Sequence, residues 1–430
     1  MAALLVIAAL TGLALAAISS RVLGRRRLIG DEAYYLQCAA AEDHYAPRPF
    51  LRVPLLSWLA ARCHQQHDAS GQRLRRLLAA ASILTVALTV PAGWYLGGLP
   101  VAATATVLLL LQPERLVLEW HIWPDALVGL VTTALTLLLV IPTEPTPGRM
   151  LILGLLCAAG CLTRIDFVVV PPVVLASLYS LDQNPGALGL FLLLTPTAVG
   201  LTIWSLRNRR RYGLFLPDDT WTFNLVVSES ESHRSAADFK LEPLLDEHFP
   251  DWSAMSQTNR VQSGLGSLMG LARRPLPFFR GILRRGLALL GPDTFIREKL
   301  LAPDGAYPEI PAGWRRALDW PLRLAFPILA TLSVLGVLLG QAPPPAYAWP
   351  ALSLLAIATV FFARTRFRLA PMPVIALLAA QGAVAVAEAL ADAVAASAPP
   401  SGVLLAGPLL LLLLTSVRCA GELPSVPKGD

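Results

Sequence analysis

The sequence predicts an all-α polytopic membrane protein, and two observations lead to this fold class. Hydrophobic residues make up 55% of the 430 residues and charged residues only 15%, and the mean hydropathy is +0.58. Soluble domains carry about 25% charged residues, so this chain has too few polar side chains to cover a globule in water. The apolar residues also fall in long uncharged blocks, and blocks of about 18 or more such residues are typical of helices that span a bilayer.

The apolar blocks predict about eleven transmembrane helices, with roughly ten to thirteen as the range. Pro, Gly and charged residues mark the boundaries between blocks, as at Gly97-Gly98-Leu99-Pro100. The blocks Leu99–Leu111 and Met150–Leu162 are short for a hydrocarbon core about 30 Å thick. The predicted spans are Ala2–Ser20, Leu77–Leu96, Leu99–Leu111, Pro124–Ile141, Met150–Leu162, Phe167–Leu181, Ala187–Leu206, Pro321–Leu339, Ala346–Ala363, Leu369–Leu390 and Val403–Ser416.

Two long polar loops divide the chain into three regions. We expect an N-terminal transmembrane core in residues 1–206, with a first loop at residues 21–76. A second large loop follows at residues 207–320, and C-terminal transmembrane helices occupy residues 321–430. Both loops contain amphipathic segments, which predict helices at the membrane interface.

One amphipathic segment lies in the second loop. Leu283, Leu287 and Leu290 line one side of the predicted helix, while Arg280 and Arg284 fall on another. The pattern suits both a short amphipathic helix packed on the bundle and a helix that recognises lipid.

The net charge is +6, and arginines in the loops beside the apolar blocks carry most of it. Contact with anionic headgroups or lipid phosphates explains these arginines, so the predicted partners are membrane lipids and not nucleic acid. The five cysteines show no metal-ligand spacing. Cys38 and Cys63 flank the first loop and could pair in an oxidising compartment or remain thiols.

Charge alone gives an orientation for the first loop. If the N-terminus is cytoplasmic, both long loops lie on the far side, and the short loops left inside hold almost no Lys or Arg. Cytoplasmic loops normally carry an excess of Lys and Arg near the spans. Arg21 and the run Arg25–Arg27 lie directly after the first span, so charge places the first loop in the cytoplasm.

The acidic segment Gly30-Asp31-Glu32-Ala33-Tyr34-Tyr35 is the first candidate for chemistry. It follows the first predicted span, at the depth where lipid substrates present their headgroups. A carboxylate held there can act as a general base on a hydroxyl or an amine. The residues alone also allow a second interpretation, in which the acids balance the charge of Arg25–Arg27.

Basic residues follow on a proline-rich stretch of the first loop. Three prolines within eight residues fix the backbone around Arg48 and Arg52. A guanidinium suits a phosphate because it donates two parallel charge-assisted hydrogen bonds. These arginines could hold a lipid phosphate or could anchor an interfacial segment.

Charged residues near the span ends are further candidates. Asp125 begins a predicted span, where it could cap the helix or face a cavity. Arg164 and Asp166 lie between two spans, where charges either pair with each other or mark a functional cavity.

Four sequence elements, in this order and in this relation to the spans, resemble the C-type glycosyltransferases, the superfamily that uses polyprenyl-phosphate sugars. The bacterial branch related to protein mannosyltransferases and the lipid A aminoarabinose transferase is the most similar, and the resemblance covers most of the chain. The elements are Asp31-Glu32-Ala33-Tyr34-Tyr35, Arg48-Pro49-Phe50 with Leu55-Leu56-Ser57-Trp58-Leu59, Trp204-Ser205-Leu206-Arg207-Asn208 to Gly213, and Arg366-Phe367-Arg368-Leu369-Ala370-Pro371-Met372-Pro373.

The resemblance implies roles for these residues. Asp31 is expected to be the catalytic carboxylate, which acts as a base toward the acceptor or orients it, with Glu32 supporting it. The substrate and lipid-phosphate contacts are expected to be Arg48, Arg52, Tyr35, Asp125, Arg207, Arg366 and Arg368.

Two positions depart from the family pattern. The family often has Lys-Pro-Pro where this chain has Arg48-Pro49-Phe50. Pro47 stands where the aminoarabinose transferase has an acid linked to a metal. We therefore predict no metal ligands and no required cofactor, and the residues give no support for a divalent metal.

The resemblance implies an integral membrane glycosyltransferase that moves a sugar from a polyprenyl-phosphate donor to a protein, lipid or glycan acceptor, with inversion. It places the catalytic loops outside the cytoplasm of a bacterial inner or plasma membrane, as part of cell-envelope synthesis, which reverses the orientation from charge. The alternative is a polytopic transporter or lipid flippase. Transporters usually show halves of similar span pattern, whereas here the halves differ and charge concentrates in two large loops.

Overall fold

The computed structural model describes residues 1–23, 31–40, 52–63, 71–118, 121–222, 224, 256–273, 275–293, 296–297, 312–339, 346–361 and 365–396. Every regular element within these ranges is helical, which confirms the all-α prediction for them. Arg48 and the predicted span Val403–Ser416 lie outside the described residues.

The helices follow the predicted spans closely. They are α1 (Ala2–Leu23), α2 (Asp31–Ala40), α3 (Leu55–Cys63), α4 (Gln72–Leu110), α5 (Pro113–Leu118), α6 (Asp125–Val140), α7 (Pro147–Thr163), α8 (Val170–Ser180), α9 (Gly186–Tyr212), α10 (Gln257–Arg273), α11 (Pro275–Leu290), α12 (Ala312–Leu339), α13 (Trp349–Phe361) and α14 (Met372–Ala396). Three short 3₁₀ turns cover Ile165–Val169, Ala346–Ala348 and Thr365–Arg368.

The chain is an integral membrane protein. Four described helices, α4, α9, α12 and α14, are long and apolar enough to cross a bilayer. Five further apolar segments are shorter, with 10–17 residues each. They correspond to α1, α6, α7, α8 with the turn before it, and α13 with the turn before it.

The element α4 contains the two predicted spans Leu77–Leu96 and Leu99–Leu111. Gly97 and Gly98 leave the helical conformation, and Gly98 has φ of 67°, in the left-handed region that favours glycine. A Cβ on Gly93 would lie 2.7 Å from the Cα of Ala102. Nine residues of straight helix would separate these positions by about 13.5 Å, so the chain turns back at the glycine pair and its two halves pack against each other.

The helix α14 lies at the centre of the bundle, against α12, α4 and α6. Its small residues allow a close approach to α12. A Cβ on Gly336 would lie 2.9 Å from the nitrogen of Gly382, and a Cβ on Gly382 would lie 2.6 Å from the nitrogen of Gly336. The apolar cores then form around α14 and around α6 to α8.

Several helix ends gather at one end of the bundle. Ion pairs connect the start of α6 to the end of α7, and another connects the start of α2 to the turn Thr365–Arg368. We call this end, together with the loop residues attached to it, the charged end. The helices α2 and α3 pack together beside it, and Cys38 and Cys63 on these two helices are thiols, not a disulfide.

The glycine contact between α12 and α14 leads to a first prediction. Gly336→Ala should destabilise the protein by about 1–3 kcal/mol, because the added methyl group forces the two helices apart. Thermal denaturation in detergent should show a lower Tm. The control is Gly313→Ala in the same helix, where a Cβ would meet nothing within 4 Å and alanine favours the helix. Equal Tm values for both variants would contradict the close packing.

Candidate functional site

The carboxylate of Asp31 lies between two guanidinium groups at the charged end. Arg52 Nη2 is 2.9 Å from Asp31 Oδ1, and Arg366 Nη2 is 3.3 Å from Asp31 Oδ2. The side chain of Asp31 is 29% exposed and each arginine is 17% exposed. Three residues that are distant in sequence therefore form one ionic cluster that is partly exposed.

The two arginines set the protonation state of Asp31. Burial acts to raise the pKa of Asp31, but the positive charges of Arg52 and Arg366 and their hydrogen bonds outweigh it and hold the pKa below its usual range. Asp31 also opens α2, where a helix N-terminus favours a negative charge. The carboxylate is ionised at neutral pH, and it is a weak base while both arginines are bound to it.

Arg52 has contacts on several sides. Its Nη1 donates a hydrogen bond of 3.3 Å to the hydroxyl of Tyr35, and its guanidinium carbon lies 4.9 Å from the ring centroid of Tyr34. Its backbone oxygen accepts a 3.2 Å hydrogen bond from Trp204 Nε1, near the end of α9. These contacts fix the orientation of the guanidinium that pairs with Asp31.

Asp218 is a buried acid at the charged end that no motif in the sequence indicates. Its Oδ2 accepts a 3.2 Å hydrogen bond from the backbone nitrogen of Val53, and its Oδ1 accepts bonds from the backbone and the hydroxyl of Thr220. Burial outweighs these bonds and raises the pKa of Asp218 to about 6. The segment Asp218-Asp219-Thr220 signals a local turn, but a contact with Val53, 165 residues away, leaves no pattern in the sequence.

A second ionic cluster centres on Arg164. Its Nη1 is 2.5 Å from Asp125 Oδ1, its Nε is 3.0 Å from Asp166 Oδ1, and its Nη2 contacts Asp166 Oδ2. Its guanidinium carbon lies 4.8 Å from the ring centroid of Phe367, and that of Arg366 lies 5.2 Å from the same ring. The ring of Phe367 therefore connects the two clusters, and Arg164 and Asp166 do pair.

Glu32 lies inside the protein and does not reach the surface. Its Oε1 accepts a 2.7 Å hydrogen bond from the backbone nitrogen of Ile122 and lies 3.3 Å from Arg75 Nη2. Both side chains are almost fully buried. Glu32 joins α2 to α4 and to the segment before α6, so it positions Asp31 through the helix that they share.

Arg368 requires a correction to the predicted site. It is fully buried, its Nη1 donates to the carbonyl oxygens of Leu289 and Gly291, and its Nη2 pairs with Glu114 at 2.5 Å and Asp293 at 3.3 Å. These partners commit its guanidinium to the fold, so the prediction of a phosphate contact at Arg368 is wrong. Arg366, two residues earlier, is the arginine that lies beside Asp31.

The end of α9 carries the predicted contact Arg207. Its guanidinium carbon stacks 4.3 Å from the ring centroid of Trp204, which itself bonds to Arg52. A surface groove at this end of α9 is lined by Ile203, Leu206, Arg207, Arg210 and Arg211. Arg207 is therefore next to the Asp31 cluster but is not part of it.

The described part of the chain holds no group of three or more His, Cys, Asp or Glu side chains that suits a metal ion. Asp125 and Asp166 both pair with Arg164. The groups that contact Asp31 are the arginines Arg52 and Arg366, which are cations and not metal ligands.

Comparison with known proteins gives matches in structure only. The sequence matches no protein-family model and no curated protein. The crystal structure of the apo oligosaccharyltransferase of Archaeoglobus fulgidus matches 96% of this chain and 55% of its own, with 16% identity and a TM-score of 0.47. ArnT of Cupriavidus metallidurans bound to undecaprenyl phosphate matches 90% of this chain and 78% of its own, with 16% identity and a TM-score of 0.42.

A third match is AglB of Archaeoglobus fulgidus in complex with an inhibitory peptide and a dolichol-phosphate. It covers 99% of this chain and 56% of its own, with 15% identity and a TM-score of 0.45. The chain thus spans about half the length of the archaeal enzyme. These proteins are C-type glycosyltransferases, the class that the four sequence elements resemble. Because each TM-score is below 0.5, the roles of individual residues rest on the geometry of this chain alone.

The raised pKa of Asp218 leads to a second prediction. Its pKa rises from about 3.9 in the unfolded chain to about 6 in the folded protein. The folded protein therefore binds this proton more tightly than the unfolded chain does. Protonation of Asp218 stabilises the folded protein by about 3 kcal/mol below pH 4, and this stabilisation is lost as the pH rises through 6. Asp218→Asn removes this dependence.

The measurement is the Tm of wild type minus the Tm of Asp218→Asn, in detergent, from pH 4 to pH 8. We expect the difference to fall up to about pH 6–7 and to stay constant above that. A difference that does not change with pH would show that Asp218 does not titrate in this range.

Proposed function

We propose that this chain is an integral membrane glycosyltransferase with the C-type fold and about eleven spans. It moves a sugar from a polyprenyl-phosphate donor to an acceptor at the extracytoplasmic surface of the membrane. The observation that carries the proposal is the partly exposed Asp31 between Arg52 and Arg366 at the charged end of an apolar helix bundle. A lipid-linked donor presents its phosphate at the bilayer surface, where these cations lie.

The arginines have two possible partners during a reaction. In the structure described here they bind Asp31. A donor phosphate competes for the same guanidinium groups, because phosphate oxygens, like carboxylate oxygens, accept charge-assisted hydrogen bonds from arginine. When the phosphate takes hydrogen bonds from Arg52 or Arg366, Asp31 loses a nearby positive charge and its pKa rises toward the usual value. Donor binding thus turns a weak base into a stronger one.

Transfer then proceeds by direct displacement. Asp31 accepts a proton from the acceptor hydroxyl or amine, whose oxygen or nitrogen forms the new bond to the anomeric carbon of the sugar. The bond from that carbon to the phosphate oxygen breaks, and its electron pair stays on the polyprenyl phosphate. The arginines stabilise this leaving group. Attack opposite the leaving group inverts the anomeric carbon.

The neighbouring residues have supporting roles in this proposal. Glu32 and Arg75 position α2, Tyr35 orients Arg52, and Asp218 holds the backbone next to Arg52. Arg48, which belongs to the same loop, remains a proposed contact of the donor phosphate. Asp125 and Arg207 remain proposed contacts of the substrate, from the second ionic cluster and from α9.

Removing the base gives the third prediction. Asp31→Asn should reduce transfer by about 10²–10⁴-fold, because an amide accepts no proton from the acceptor. Transfer is measured in detergent from radiolabelled undecaprenyl-phosphate mannose and undecaprenyl-phosphate aminoarabinose, tested in parallel with a membrane extract as acceptor. The radiolabel on the acceptor is the readout.

The matched control is Asp182→Asn. Asp182 is exposed after α8, at the opposite end of the bundle, and its φ of 57° suits asparagine equally well. It should retain wild-type transfer. Full transfer by a correctly folded Asp31→Asn protein would refute Asp31 as the base. Movement of the labelled lipid across vesicles without transfer by the wild type would favour the flippase alternative.

The side of the membrane gives the fourth prediction. Cys38, Cys157 and Cys161 are buried, whereas Cys63 on α3 is partly exposed. A membrane-impermeant maleimide added to spheroplasts should label Cys63 from outside if the first loop is extracytoplasmic. The control is Cys63→Ser, which should lose this label. Labelling of Cys63 only after the membrane is opened would place the loop in the cytoplasm and contradict the proposed function.

A further inference from the structure

The peptide bond between Arg52 and Val53 is held on both sides by distant residues. Its carbonyl oxygen accepts a 3.2 Å hydrogen bond from Trp204 Nε1, near the end of α9. Its N–H donates a 3.2 Å hydrogen bond to Asp218 Oδ2, at the start of the second loop. We call these two hydrogen bonds the peptide clamp. Because the two polar groups of one peptide unit point in opposite directions, the clamp fixes both the position and the direction of this unit.

The backbone at Arg52 depends on such outside contacts. Arg52 and Val53, the first described residues of this stretch, lie outside any helix, and α3 begins at Leu55. Pro54 favours an extended conformation at Val53, and an extended segment satisfies its polar groups only through neighbouring parts of the chain. The charge of arginine lies at the end of a long side chain, so a shift of this peptide moves the guanidinium that pairs with Asp31.

The Asp218 side of the clamp is part of a buried segment of the second loop. Asp218 Oδ1 accepts hydrogen bonds from the backbone nitrogen and the hydroxyl of Thr220. Thr222 packs so closely on α10 that a Cβ on Gly264 would lie 2.7 Å from the Cβ of Thr222. Asp218 and Thr222 are both buried. The clamp therefore connects the first loop to a part of the second loop that is packed against α10.

The Trp204 side of the clamp can be removed without removing the aromatic ring. The guanidinium carbon of Arg207 lies 4.3 Å from the ring centroid of Trp204. Phenylalanine at position 204 keeps an aromatic face for this contact, but it lacks the N–H that donates to Arg52. Trp204→Phe is therefore a selective change to one half of the clamp.

The clamp matters most when Arg52 is not paired with Asp31. In the resting structure the ion pair of 2.9 Å itself restrains the guanidinium. In the proposed reaction a donor phosphate replaces Asp31 as the partner of Arg52, and the guanidinium must already lie where the charge of the leaving group develops. A charge stabilises a transition state through its preorganised position, and here the clamp supplies that position.

We propose that the start of the second loop controls the donor contact of Arg52 through the peptide clamp, with Trp204 and Asp218 as positioning residues. A shift of this loop segment is transmitted through one peptide unit to the arginine that holds the donor phosphate. This inference rests on the proposed function, because Arg52 is a donor contact only in that reaction.

The first test is a double-mutant cycle that needs no activity, with Tm in detergent as the readout. Wild type, Trp204→Phe, Asp31→Asn and the double variant are compared. Trp204→Phe should lower the Tm less in the Asp31→Asn background than in wild type, because the ion pair that it weakens is already absent. The control is Trp320→Phe, at a tryptophan of α12 that is 68% exposed, which should change the Tm equally in both backgrounds. Equal losses for Trp204→Phe in both backgrounds would overturn the clamp.

The second test is sugar transfer, measured as radiolabel on the acceptor with the two donors named above. Trp204→Phe should lower kcat by about 10–100-fold, since a displacement of about 1 Å at a reacting group has an effect of this size. Trp320→Phe should retain the wild-type kcat. Wild-type kcat in Trp204→Phe would contradict the proposal. If the wild type transfers neither sugar, the proposed function fails, and the Tm cycle still decides whether the clamp directs Arg52.

A matched pair of variants tests the Asp218 side. Asp218→Asn and Asp218→Leu both remove the negative charge, but only asparagine keeps a side-chain oxygen that can accept from the Val53 nitrogen. The asparagine variant should therefore transfer sugar faster than the leucine variant. Equal rates in two folded variants would show that the hydrogen bond to Val53 does not position Arg52. If the leucine variant does not fold, the Trp204→Phe cycle remains the deciding measurement.

Discussion

Charged groups near a bilayer must be paired, and at the charged end of this protein arginines and acids satisfy one another at the ends of apolar helices. A guanidinium removed from water without a carboxylate or carbonyl partner would cost far more than packing could offset. Arg368 meets this constraint inside the fold with Glu114, Asp293 and two carbonyl oxygens. Arg366 meets it at the edge of the fold with Asp31. The same requirement therefore produces a structural arginine and an accessible one within three residues.

The partial exposure of the Asp31 cluster separates it from the other ion pairs of the charged end. Glu32 and Arg75 are almost completely buried, and so their pairing can only hold helices together. Asp31 can exchange partners, because an anion from the membrane surface can reach Arg52 and Arg366 without unfolding anything. In the proposed reaction, the carboxylate with the lowered pKa is the resting state and not the reactive state.

Much of the fold is predictable because the length of an apolar block and the Gly, Pro or charged residues at its ends are local features of the sequence. The pair Gly97 and Gly98 marks the break in α4, and the helix bounds of α6 and α9 agree with their apolar blocks to within a few residues. The residues of the site are less predictable. The place of Asp31 after the first span makes it a candidate, but only the family resemblance indicates Arg366, and their contact joins positions 335 residues apart.

Asp218 and Arg368 show why local signals fail at the site. A loop acid that receives a backbone hydrogen bond from Val53 looks like any other loop acid in the sequence. Arg366 and Arg368 are also equivalent by composition, and only the direction of a 3₁₀ turn decides which one is buried. The orientation of α11 was open for the same reason, since its rotation depends on Arg285 and the distant Thr359.

The turn Thr365–Arg368 also has a mechanical consequence. This turn carries both Arg366 and Arg368. Arg368 donates hydrogen bonds to carbonyl oxygens at the end of α11, and Arg366 donates one to Asp31. The two side chains leave the same short turn, so the position of this turn determines both the contact with the end of α11 and the contact with Asp31.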